Sequence, residues 1–188
     1  MTGLLYFALG IAVVWSFWLA RHRMLSFQAQ RAADYEHFGP EFVLSRHLAG
    51  ALVCHGVIYG PSGRVVSRFV ADMTGEWTES GGVLRESFRF DSGATQERAW
   101  HLTLAPDGTI RAEADDIVGH GSGAMGGPCV GLTYRIKLPE DAGGHTLDVV
   151  DWMHLLDNGV IMNRSQFRKF GVKVAELVAT IERKREAA

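Results

Sequence analysis

Hydrophobic and polar positions fall into two regimes along the chain. From Thr2 to Ala20 no side chain is charged, and Leu4, Leu5, Phe7, Ile11, Val13, Val14, Trp15, Phe17, Trp18 and Leu19 make the stretch strongly apolar. As a helix these residues rise about 28 Å, close to the thickness of a bilayer's hydrocarbon. The pattern predicts one N-terminal transmembrane helix, with residues 1–23 as a membrane anchor. A cleaved secretory signal needs a positive start, a shorter apolar run and a small-x-small site. Here no Lys or Arg precedes Arg21, and Trp15 and Trp18 beside Arg21, His22 and Arg23 fit an interfacial belt. Residues 24–40 are mixed and predict a linker or short helix, ended by Gly39-Pro40.

From residue 41 to residue 188 the period changes to two. Val130, Leu132, Tyr134, Ile136 and Leu138 alternate with Gly131, Thr133, Arg135 and Lys137. Val65, Phe69, Ala71 and Met73 oppose Arg64, Arg68 and Asp72 in the same way. Turn signals recur at Gly60-Pro61-Ser62-Gly63, Gly81-Gly82, Asp91-Ser92-Gly93, Pro106-Asp107-Gly108, Ala142-Gly143-Gly144 and Asp157-Asn158-Gly159. That spacing suits consecutive antiparallel strands and leaves little room for crossover helices. About nine or ten strands in a meander would expose two edges, and closure removes them. The expected class is therefore all-β, a lipocalin-like barrel preceded by the transmembrane helix. In the tail, Val174, Leu177, Val178 and Ile181 fit a helix, while Val172, Val174 and Val178 also fit a strand. The glycine-rich run Gly119–Gly127 reads as a flexible hairpin at the barrel mouth.

Composition narrows the classes. With 188 residues and 47% hydrophobic side chains the chain supports one core of ordinary size. A formal charge of -2 disfavours nucleic acid as a partner. Two cysteines, Cys54 and Cys129, make neither a disulfide framework nor a thiolate zinc site, and buried free thiols are preferred to a bond between them. Among eight histidines, His101, His120, His145 and His154 occur singly, so no metal site is expected, nor any cofactor. Gly119-His120-Gly121-Ser122-Gly123 has the wrong register for a nucleophile elbow and no following helix.

Four ordered stretches carry a family resemblance over roughly Glu41 to Arg183. They are Gly63–Phe69 with Met73–Trp77, Glu86–Asp91 with Arg98-Ala99-Trp100, Ala114–Gly119, and Asp151–Asp157 with Asn163-Arg164 and Lys169-Phe170-Gly171. The chain resembles the bacterial family known as domain of unknown function 3833, whose members resemble lipocalin-like barrels. The resemblance implies that the tail is a strand closing the barrel. It brings no catalytic residues, because the family has no established activity. Many relatives look like envelope lipoproteins with a lipobox cysteine, which implies the periplasm; here no cysteine precedes Cys54 and an apolar span stands in that place. The location expected is a bacterial inner membrane, single-pass, through residues 2–20. The resemblance puts the barrel in the periplasm, whereas the Arg21–Arg23 cluster puts it in the cytoplasm.

The candidate ligand residues centre on the hairpin at Asp157-Asn158-Gly159, which sets Asp151, Trp152 and His154 beside Asn163 and Arg164. If Asp151 and Arg164 point inward, burial requires each to pair with the other or with a polar ligand group. Arg89, Trp100, His101, Asp116 and Arg135, and with them Glu86, lie on expected strands and join the same candidate interior. The expected function is binding of a lipid or other small apolar ligand near a membrane. Two alternatives stand beside it: a structural or protein-interaction module of the envelope, and an enzyme acting on a lipid-like substrate through Asp151, His154 and Arg164. No residue is assigned a catalytic role, and no protein partner is named.

Overall fold

The computed structural model describes residues 2–184, without the side chains of His22, Arg23 and Asp141. Residues 185–188 of the expected barrel, and part of the basic cluster behind the anchor, therefore lie outside the described residues. Helix α1 (Thr2–Met24) is exposed along its length, and it is apolar and long enough to cross a membrane.

Ten strands follow in an unbroken antiparallel meander: β1 (Gly50–Tyr59), β2 (Val65–Thr78), β3 (Gly81–Phe90), β4 (Thr95–Leu104), β5 (Thr109–Glu113), β6 (Gly121–Gly126), β7 (Cys129–Lys137), β8 (Thr146–Leu155), β9 (Ile161–Lys169) and β10 (Val172–Arg183). The sheet closes because β10 pairs with both β9 and β1, in register from Leu52 opposite Arg183 to Tyr59 opposite Glu176. The tail is thus a strand. Two hydrogen-bonding neighbours outweigh its helical periodicity, and the β1–β10 pairing joins the two ends of the meander.

The flexible hairpin expected at Gly119–Gly127 is instead mostly strand: Gly121–Gly126 is β6, the first arm of a hairpin with β7. Its glycines are needed for close approach. A Cβ on Gly123 would meet the Gly131 carbonyl and the Leu132 side chain at 2.4 Å, and one on Gly126 would meet the Ala32 carbonyl at 2.2 Å.

Inward positions such as Phe69, Ala71, Leu84, Leu102, Ile110, Leu132, Ile136 and Val149 form the core. Two further pieces complete it. The four-residue helix α2 (Leu44–His47) closes one end of the barrel, where Phe42, Leu44 and Leu48 are 1%, 2% and 0% exposed. The Trp77 indole Nε1 donates to the Leu48 carbonyl at 2.9 Å, and Gly75 leaves room for that carbonyl to come down onto β2. Before α2, residues 26–38 fall within the segment expected as a linker or short helix. They form a strap with two short 3-10 helices, Phe27–Ala29 and Ala32–Tyr35, laid across the outside of the wall at β6 to β9.

Candidate functional site

Strand parity decides which side chains enter the barrel. On β3, Leu84 is buried inward, so Glu86 two residues on faces the interior too, and its cross-strand partner Arg98 on β4 shares that face with Trp100 and Leu102. On β8 the inward set is Leu147, Val149, Asp151, Met153 and Leu155, opposite Ile161, Asn163, Ser165 and Phe167 on β9. Tyr134 projects inward from β7 and meets the Trp100 ring edge-on at 5.1 Å.

These residues surround a cavity of about 70 Å³ beneath α2. Its walls are apolar, made by Leu44, Leu48, Met73, Leu84, Trp100, Leu102, Ile110, Val130, Leu132, Met153 and Ile181, and its polar groups are Glu86, Asp151 and Asn163. Asp151 Oδ1 accepts from Asn163 Nδ2 at 2.5 Å and from Ser165 Oγ at 2.8 Å. Beside this group β5 pairs with β4 only from His101 to Leu104, so the first half of β4 has no strand on that side. Arg98 spans the opening, giving both Nε and Nη2 to Asp116 Oδ2. Asp116 Oδ1 is buried without a hydrogen-bond partner.

Burial sets the electrostatics. Glu86 and Asp151 are enclosed by protein, and the accessible surface they retain faces the cavity. Desolvation pushes the Glu86 carboxyl up to about 7; Arg98 and the Trp100 indole draw it down, while Asp151 and Asp116 push it further up. Burial also raises Asp151, against the hydrogen bonds from Ser165 and Asn163. Tyr134 is held well above the usual phenol range by burial and by Asp151. Burial would lower Arg98, but Tyr134, Glu86 and Asp116 keep it charged.

The eleven candidate residues divide. Glu86, Trp100, Asp151 and Asn163 line the cavity, and Asp116 reaches the interior group through Arg98. The others point away. Arg89 is on the outer face, paired with Asp72 at 2.8 Å, and His101 and Arg135 are exposed. Trp152, His154 and Arg164 lie outside the wall under the strap. Tyr35 meets Trp152 and His154 edge-on at 5.8 and 5.2 Å, and Arg164 sits 4.8 Å over the Phe27 ring.

The expected Asp151–Arg164 pairing does not form, because adjacent positions on paired strands face opposite sides; Arg164 bonds Glu176 at 2.5 Å instead. Trp152 is buried as expected of a tryptophan, but against Gly131 and the strap rather than in the barrel core. Arg98, Tyr134 and Ser165 were not among the candidates. Of these, the signal was legible for Tyr134, inside the alternating run of β7. Cys54 and Cys129 are buried free thiols. Among the described residues, no group of three or more His, Cys, Asp or Glu is placed to hold a metal.

A closed ten-stranded meander around a plugged interior is a lipocalin-like barrel. The chain belongs to the family described as "Protein of unknown function (DUF3833)", whose model matches residues 22–183. Among solved structures it is similar to Rv2717c from M. tuberculosis, with a TM-score of 0.55 and 14% identity, covering 79% of this chain and 99% of that one. It is also similar to the S-type phycobiliprotein lyase CPES from Guillardia theta, with a TM-score of 0.54 and 9% identity over 77% of this chain and 92% of that one. At such identities the likeness is one of fold. No curated protein matches the chain.

Proposed function

We propose that the protein is a membrane-tethered barrel that holds a small, largely apolar molecule in its interior, with the molecule's polar group donating hydrogen bonds to Glu86, Asp151 and Asn163. One observation carries this reading: the cavity beneath α2 has apolar walls and a few convergent polar groups, the usual make-up of a small-molecule site. The tether is α1, whose exposed apolar surface is stable only when something covers it, and a bilayer of matching thickness does so.

The lipid expectation narrows at the same time. Sites for drug-sized ligands enclose about 300–1,000 Å³, so an acyl chain enters a cavity of about 70 Å³ only if α2 is displaced. A free fatty acid would moreover set its carboxylate against two carboxyl groups. A ligand of a few non-hydrogen atoms with a donor head fits the closed barrel.

The test is calorimetric titration of the full-length protein, in nonionic micelles, with 2-methylpropanol. At no more than about 1.5 kcal/mol for each of its five non-hydrogen atoms, binding is micromolar at best. A saturable heat with one site per chain is expected. Absence of saturation, together with no small molecule carried by the protein in native mass spectrometry, overturns the proposal.

A further inference from the structure

The interior carries more negative than positive groups. Three carboxyl side chains, Glu86, Asp151 and Asp116, face or border it, and the guanidinium of Arg98 is the one cation among the described residues that reaches them. That cation is committed: Nε and Nη2 both go to Asp116. Asp151 has the neutral donors Ser165, Asn163 and Tyr134, Glu86 has the Trp100 indole, and each feels Arg98 only as a more distant attraction. Donors are short even at the ion pair, where Asp116 Oδ1 is buried with no partner. A buried carboxylate without a counter-charge is costly, so the arrangement invites a cation from outside.

The cavity defines which cation. A hard metal ion needs six or more oxygen ligands, or four for zinc; this site presents three polar groups, and its other walls are leucine, methionine, isoleucine and tryptophan. An organic cation satisfies both halves, its head against the carboxyl groups and its body against the apolar walls. We infer that the ligand class is a small primary amine, bound as its ammonium ion against Glu86 and Asp151. This rests on the reading of the barrel as a small-ligand site and specifies its chemistry.

A proton balance follows. The groups that face Glu86 are Arg98 from β4, Asp116 from the opening, Tyr134 from β7, Asp151 from β8 and Cys54 from β1; Leu44 and Leu48 of the plug bring no charge. Below about pH 7 the missing positive charge in the barrel is supplied by a proton on Glu86, in keeping with its shift to about 7. An ammonium ion takes over that role, so the proton leaves to the buffer and the ligand's N–H groups replace it as donors. No covalent bond changes.

The experiment uses three probes with one body and three heads: 2-methylpropylamine, 2-methylpropanol and 2-methylpropanoate, titrated into the full-length protein in nonionic micelles at pH 6 and pH 8.5. The amine stays protonated across that range, as a lysine side chain does. It is expected to bind at least about tenfold more tightly than the alcohol at pH 8.5, and about tenfold more weakly at pH 6 than at pH 8.5. At pH 6, titrations in two buffers with different ionisation heats should show proton release for the amine and none for the alcohol, and at pH 8.5, where Glu86 has already lost its proton, none for either. The carboxylate should not bind at pH 8.5. In Glu86→Gln, with the fold checked by circular dichroism, the ratio of amine to alcohol affinity should collapse at least about tenfold. Equal affinities at pH 8.5, or an amine preference that survives Glu86→Gln, overturns the amine assignment while alcohol saturation leaves the small-ligand site standing. If none of the three saturates, both readings fall.

Discussion

Replacing Glu86 by glutamine separates the cost of a buried carboxyl from the rest of the barrel's stability. Glutamine keeps the size of the protonated acid and can still accept from Trp100, but it cannot ionise. In the folded wild type Glu86 titrates near 7, against 4.5 for the unperturbed group. Between those values the folded state holds a proton that the unfolded chain has lost, so wild-type stability must fall as pH rises. A difference of 2.5 units at about 1.36 kcal/mol each is a destabilisation of roughly 3 kcal/mol, present in full above about pH 7 and absent below about 4.5. Water entering the cavity would soften this, so the figure is a ceiling.

Glu86→Gln should therefore match the wild type near pH 4.5 and exceed it by up to about 3 kcal/mol at pH 8.5, or about 6–12 °C in Tm for a chain of this size. The assay is reversible urea unfolding of the full-length protein in nonionic micelles, followed by tryptophan fluorescence from pH 4.5 to 8.5. Asp151 is raised by burial as well and acts in the same direction in both proteins. Parallel stability curves for the two proteins across the range would refute the reasoning, because they would place a solvated, normally ionising carboxyl at position 86.

Three other outcomes follow from the packing. In Gly131→Ala the new Cβ would meet the Trp152 ring at 2.7 Å, with Tyr35 on the far side, so overpacking should cost about 1–3 kcal/mol in urea unfolding. The same variant should be cut faster by trypsin at Arg31 in the strap. Burial pushes Cys54 up to about 12 and Cys129 to about 11, so neither thiol should react with a disulfide reagent at pH 8 until the protein is unfolded, when two should react. If α1 is an anchor, alkaline carbonate should leave the full-length protein in the membrane pellet, and three arginines placed at Ile11, Val13 and Val14 should release it.

The fold was legible because its signal repeats in every strand. Val130 to Ile136 shows the alternation of β7, and the Gly, Pro, Asn and Asp turns mark most of the hairpins. Two local misreadings had one cause, an approach by a distant part of the chain. Gly121–Gly126 carries no apolar alternation because Ala32 and Leu132 come close to its backbone, so glycine there marks contact rather than flexibility. Trp152 reads as a core residue, and it is one, but its core is a second layer outside the wall. The strap creates that layer, and nothing in Met24–Phe38 announces that it will fold back over β7 and β8. The candidate site was legible only where parity could be fixed. Asp151 and Arg164 look like partners when the hairpin is read as a ladder, but Asp151 lies opposite Ser165 and Arg164 opposite Trp152, so they face opposite sides. Glu176, the true partner of Arg164, sits on the tail, whose strand character no local pattern settles.

The strap also explains why the plug sits where it does. Its carbonyls at Ala32, Tyr35 and Phe38 lie against Gly126 and Gly127, the Phe42 amide donates to the Gly127 carbonyl at 2.8 Å, and α2 then turns directly over the barrel end. From Leu48 the chain enters β1, and Arg183 at the end of β10 donates to the carbonyls of Arg46 and Ala49. The plug is thus tied to the β6–β7 hairpin on one side and to the β1–β10 closure on the other, with Trp77 holding its carbonyl from β2. These are hydrogen bonds worth about 1 kcal/mol each around an apolar centre of Phe42, Leu44 and Leu48. Opening the end of the barrel must break that apolar contact as a unit. On the proposed function, the closed state would admit only ligands small enough to fit beneath it, and the size of the cavity and the chemistry of its carboxyl groups would act as two independent filters on what the barrel holds.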